Sequence, residues 1–332
     1  MKLLQSCAVL FLVVALVVPD SVVAQGFGVG GVEPLTVTIN PQYPRPYDTV
    51  TITPRSTLID LAAARVVVSV NGEIIEDGSG SRSVQTRVGA AGSRSVIRVT
   101  ATEASGQVYA KELIITPADV ALIIDAASTA HPFYEGALLV APEGRVRVIA
   151  IPDLRTTAGA TIPPQSLVYT WKSGDRILLE HSGIGRSVLD ATAPVRHRDA
   201  KITVTVSAQD KSVSASAVTT VSPVDPFVRI YTSSPLLGPS FETALGESVT
   251  MEGEEDTFRA VPYFFRAYPE LAWSVNGVAG EKEDSLTVRI TEPGRGAARI
   301  EVSALGEGIL QNAQAFFTLN FGSDGGTGIF GL

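Results

Sequence analysis

A short stretch recurs three times along the chain: Val68-Ser69-Val70-Asn71-Gly72, Trp171-Lys172-Ser173-Gly174 and Trp273-Ser274-Val275-Asn276-Gly277. Each copy reads as a strand running into a tight turn. Asn-Gly suits a two-residue type I′ hairpin, because both turn residues need positive φ. Val68, Trp171 and Trp273 hold the same place in the three copies, where a buried anchor would lie between two sheets. The spacing is about one small sandwich per copy.

A second pattern repeats in step with the first. Ile97-Arg98-Val99, Ile202-Thr203-Val204 and Ile300-Glu301-Val302 are each followed by a polar turn and a further strand. Pro132-Phe133-Tyr134-Glu135-Gly136 matches Pro239-Ser240-Phe241-Glu242-Thr243, and Ala150-Ile151-Pro152 matches Ala260-Val261-Pro262. The expected fold class is therefore all-β: three tandem immunoglobulin-like β-sandwich domains over residues 35–117, 118–223 and 224–321. Period-two alternation marks strands at 49–53, 65–70, 95–101, 201–208 and 298–304, among others. Further expectations are a strand over 136–141, a turn over 77–80 and one helical turn over 60–64. Proline-containing joints, Pro117-Ala118 and Pro223-Val224-Asp225-Pro226, stiffen the connections, so a semi-rigid three-bead rod is expected.

Residues 1–24 read as a signal peptide. Lys2 supplies the positive start, residues 3–18 are almost wholly apolar, and Val22-Val23-Ala24 offers a cleavage site. The apolar run falls short of the roughly 20 residues that a membrane span needs. Membrane contact is expected only if this segment stays uncleaved as an anchor. Cys7, the one cysteine, lies inside it, so the mature domains carry no disulfide and packing must hold them. Residues 25–34 form a Gly-rich linker and 322–332 a flexible Gly-rich tail. The formal net charge of −8, without any basic block, argues against nucleic-acid partners.

The alternation, the Asn-Gly hairpins and the last two-strand module resemble bacterial Ig-like and PKD-like domains. More closely, the chain resembles a family of exported tandem Ig-like proteins from small-genome bacteria. The stretches that carry this are Asp60-Leu61, Val70-Asn71-Gly72, His131 through Gly136, Ala150 through Pro152, Ala260 through Phe265, Trp273 through Gly277 and Leu310-Gln311. Val68 departs from the Trp that is commoner at its place. The resemblance implies a fold and an export route, and it lends no activity.

No catalytic constellation emerges. His131, His181 and His197 are far apart and read as solvated loop imidazoles. Asp77-Gly78-Ser79-Gly80-Ser81 lacks the spacing and the helix of a nucleophile elbow. Glu252-Gly253-Glu254-Glu255-Asp256 is the densest acidic run. It lacks the spaced pattern of known Ca²⁺ loops, so Ca²⁺ stands as a low-ranked alternative to no cofactor at all. Tyr263-Phe264-Phe265 with Tyr268 reads either as core or as an exposed interaction surface, and Tyr134 invites the same question. Aromatics on an exposed sandwich face can stack sugars or seed a protein contact. The functional expectation is a non-enzymatic, exported structural or adhesive component of the cell envelope or surface, located extracellularly, on the cell surface or in the periplasm. The alternative is a module that binds a protein or glycan of the envelope, accessory to a surface appendage or secretion apparatus.

Overall fold

The computed structural model describes residues 33–322, apart from 81, 252, 281, 292 and 293. The signal segment, Cys7, nearly all of the 25–34 linker and the tail beyond 322 lie outside the described residues.

Strands form where β-branched residues alternate with polar ones, as in Thr49–Arg55 and Ala200–Ser207. In the first unit, Thr36–Asn40, Thr49–Arg55 and Val84–Arg87 make one antiparallel sheet. Glu73–Ser79, Arg65–Val70, Ser95–Thr102 and Val108–Ile115 make the facing one, in that order. The second unit repeats the plan. Val188–Thr192, Arg145–Asp153 and Asp119–Ala126 face Arg176–Ile177, Val168–Ser173, Ala200–Ser207 and Ser214–Val221. In the third, Phe227–Ser234, Glu255–Tyr263 and Ser285–Arg289 face Val278–Ala279, Glu270–Val275, Gly296–Leu305 and Asn312–Phe321. Each unit is an immunoglobulin-like β-sandwich. The short strand after each repeated turn pairs with the anchor-bearing strand, which moves it to the sheet opposite the one it joins in a constant-type immunoglobulin domain.

Register explains the repeat. Val68 lies opposite Val99, Trp171 opposite Val204 and Trp273 opposite Val302. All three anchors are at most 1% exposed. Each indole N–H, buried with its ring, donates to a backbone carbonyl: Trp171 to Arg186 (2.8 Å) and Trp273 to Glu283 (2.9 Å). The turn asparagines do more than accept positive φ. Asn71 and Asn276 sit at φ 52° and 50°, and each side-chain oxygen accepts a backbone N–H from the neighbouring strand, Val96 and Arg299, at 2.8 Å. The turn is thereby fastened to the sheet behind it.

Several expectations need correction. Residues 136–141 are not a strand. They cross beside the outgoing linker, where the Val140 carbonyl accepts the Val224 N–H. Residues 77–79 continue the strand Glu73–Ser79, because a register shift at Val68/Ser69 absorbs the irregularity. The 60–64 segment, by contrast, makes the single turn expected of it: the Ala63 and Ala64 N–H groups both donate to the Asp60 carbonyl, and the strand starting at Arg65 ends it there. Val84–Arg87, too polar and short to stand out, is a strand that completes the first unit's smaller sheet.

Candidate functional site

The first joint is made by few groups. The Ala118 N–H donates to the Pro44 carbonyl (3.3 Å), the Gly92 N–H donates to the Pro117 carbonyl (3.0 Å), and Arg45 pairs with Asp119. Gly92, at φ +77°, lies so close to the second unit that a Cβ there would sit 2.7 Å from the Arg155 side chain.

The second joint is built differently. The loop after Asp119–Ala126 reaches onto the third unit, and Thr129 becomes a third partner for the turn after Glu255–Tyr263. Phe264 N–H donates to the Thr129 carbonyl (2.8 Å), Thr129 N–H to the Phe265 carbonyl (2.9 Å), and Phe265 N–H to Thr129 Oγ1 (3.0 Å). Phe264 takes a left-handed backbone conformation, φ 59°, which is costly for a bulky side chain and needs surrounding contacts to hold it. The result is that Phe265 turns into the core of its own unit while Phe264 turns into the joint.

Around this point lies a cluster of rings contributed by both units. Tyr231, Val261, Tyr263 and Phe264 are buried in it, with Tyr134, Phe227 and Phe241 half-buried against them. His131 stacks on Phe241 and meets Tyr134 and Tyr263 edge-on. The Tyr231 and Tyr263 hydroxyls bond to each other at 2.7 Å in the interior. Burial, reinforced by that bond, pushes the Tyr263 phenol far above its ordinary range. Offset and edge-on ring pairs add about 0.5–1.5 kcal/mol each beyond area burial.

The loop 306–311 closes the other side. Gln311, 2% exposed, donates its amide to the Pro142 carbonyl at 2.5 Å. The Glu143 carboxylate accepts the Ile309 N–H at 2.7 Å. Gly308, at φ +113°, leaves room for that carboxylate, which a Cβ would approach to 2.6 Å. Arg196 pairs with Asp225 in the linker, holding that carboxyl below the usual range.

The four aromatics singled out from sequence separate here. Tyr263 and Phe265, 4% and 0% exposed, are interior and unavailable as an outward surface, which corrects that half of the reading. Tyr134 is taken up by the joint, and Tyr268 alone of the four is exposed. Partial burial and the Asp284 carboxylate push the Tyr268 phenol up to about 12. His131 is no solvated imidazole, since it packs against rings and its Nδ1 accepts the Phe133 N–H. Thr129, Glu143 and Gln311 were not singled out as site residues. Yet three of the stretches that carry the family resemblance, 131–136, 260–265 and 310–311, meet at this one joint.

Among the described residues, no group of three His, Cys, Asp or Glu side chains is placed to hold a metal ion. Glu255, from the acidic run, is paired with Arg289. No helix among the described residues is long and apolar enough to cross a membrane.

No protein-family model and no curated protein sequence matches the chain. Among solved structures, it is similar to the three N-terminal domains of the highly immunogenic outer capsid protein of bacteriophage RB49. That alignment covers 86% of this chain and 98% of the other, at 12% identity and a TM-score of 0.27. Fibronectin(III)-like modules of Clostridium thermocellum CbhA align over 57% and 94%, at 11% identity and 0.26. The central fibronectin-III array of RIM-binding protein aligns over 86% and 95%, at 11% identity and 0.28.

Proposed function

We propose that the chain is an exported, non-catalytic tandem immunoglobulin-like protein that serves as a structural or adhesive component of the cell envelope or surface. The observation that carries this is the sealed second joint. Six or more aromatic side chains and the Thr129, Glu143 and Gln311 contacts are used to fix one sandwich on the next. Such a joint transmits geometry along a chain and prepares no reaction. Thr129, Glu143 and Gln311 spend their side-chain polar groups on backbone partners across the joint, and the Tyr231 and Tyr263 hydroxyls bond to each other inside apolar walls.

Export rests on the sequence of residues 1–24, and the same proposal includes kinship with the exported tandem Ig-like proteins of small-genome bacteria. The test is to follow the full-length chain, tagged at its C-terminus, in cells that make it. Recovery in the envelope or medium, with digestion by external protease, is expected. Retention in the cytoplasm would overturn the reading.

A second reading, a module that holds a protein or glycan, is favoured by one surface. Ile177, Leu179 and Ile184 are all exposed along the outer edge of the second unit's larger sheet. Exposed Tyr268 adds an aromatic on the third unit. Recovery of a specific partner that is lost on Leu179→Asp would favour this reading.

A further inference from the structure

Both internal joints use the same two ends of the sandwich. In each, the end that carries the turn between the first and second strands faces the end after the next unit's second strand. Thr129 bonds to Phe264 directly, while at the first joint Pro44 bonds to the linker residue Ala118 and Gly92, at the same end, lies against Arg155. The third unit owns the first kind of end. Its strand Phe227–Ser234 is in register with Asp119–Ala126, since Val228 faces Pro262 as Val120 faces Pro152. The residues that correspond to Ser128 and Thr129, in the docking segment of the second unit, are therefore Leu236 and Leu237.

These two leucines are 94% and 90% exposed, the most exposed large apolar side chains described. They are not on a loose loop. Ser233 and Ser234 pair with Pro239 and Gly238 to form a small hairpin, and Ser234 Oγ accepts the N–H groups of Leu236 and Leu237 at 3.3 and 3.4 Å. A fixed pair of outward leucines at a position that is otherwise a docking point is an unusual use of apolar surface. The complementary end exists on the same chain. The first unit's turn after its second strand carries Leu58, 63% exposed, beside an open concavity of ≈ 750 Å³ lined by Pro54, Thr57, Ile59 and Leu61, among others.

We propose that the Leu236-Leu237 tip docks on the Leu58 end of a second copy of this chain, joining copies head to tail. The contact repeats in kind the joints already made inside each copy. Because the two surfaces differ, the association is heterologous and grows into open strings unless the geometry closes a ring. It does not depend on the compartment in which the chain resides.

The test is sedimentation of the full chain, purified as its cells process it, over a range of concentrations. Growth beyond a dimer is expected. The double variant Leu236→Asp/Leu237→Asp weakens association about tenfold or more, the scale of losing a hot spot, and leaves the melting temperature unchanged because both side chains are outside the cores. Leu58→Asp does the same from the other end. Each variant keeps one good end, so mixing the two gives heterodimers and stops there. A wild-type chain that stays monomeric throughout overturns the proposal. So does association untouched by the tip variant, or a mixture that forms no heterodimer, the result expected of a tip-to-tip contact.

Discussion

The imidazole of His131 lies flat against the ring of Phe241, centroids 4.7 Å apart and 7° from parallel, although the two belong to different sandwiches. Each stands in one copy of the repeated loop, just before Pro132 and just after Pro239. A duplicated segment has thus been used twice at one place, once as the visitor and once as the surface visited. The second and third units are held as a pair, whereas the first is attached by a handful of polar contacts.

Gln311 tests that pairing. Its truncation to alanine leaves the buried Pro142 carbonyl without its donor, a cost of about 1–3 kcal/mol. Calorimetry of Q311A is expected to show the second and third units melting at separate temperatures where the wild type shows one joint transition. An unaltered thermogram would mean the contact carries no coupling.

Trp273 tests the anchor. It is 1% exposed, faces Val302, and keeps its N–H satisfied. Trp273→Ala should cost roughly 3–5 kcal/mol by leaving a cavity and an unfilled carbonyl. Denaturant titration would read this as an early loss of the third unit. A change under about 1 kcal/mol would deny it an anchoring role.

The buried phenol of Tyr263 predicts weakness in alkali. Its folded pKa is raised, so the neutral form is favoured in the folded state, and the unfolded phenol ionises first, near the usual value of about 10. The stabilisation is complete below that pH and is lost as pH rises toward the folded value. Melting temperatures should therefore fall above about pH 10, and Tyr263→Phe should flatten that decline.

Asp225 predicts the opposite limb. Arg196, hydrogen-bonded to it, lowers its folded pKa, with His197 a smaller contributor. Its contribution is present above the ordinary carboxylate value of about 4 and fades as pH drops through the folded one. The Asp225→Asn variant should lose part of the acid sensitivity seen in wild-type melting curves below about pH 4.

Much of this architecture was legible because periodicity and turn chemistry are local. Trp171, Trp273 and the Asn-Gly turns announce a strand position without knowledge of any distant partner. Val84–Arg87 was hidden because a short polar edge strand has no pattern of its own and is specified by the strand beside it. The joint was only half visible. Tyr263-Phe264-Phe265 stood out as aromatic, but whether such a run faces core, neighbour or water depends on Thr129, more than 130 residues earlier. One positive-φ residue, Phe264, sends adjacent rings in different directions, and a strict strand alternation does not foresee that.

The most direct measurement is of relative motion between units. Paired spin labels on exposed strand positions, one pair spanning the second and third units and one spanning the first and second, report the distribution of distances across each joint. A narrow distribution across the second joint, broadened by Thr129→Pro or Q311A, and a wider one across the first, is the expected result. An equally broad distribution across both joints in the wild-type chain would contradict the claim that the aromatic joint fixes two sandwiches as one body.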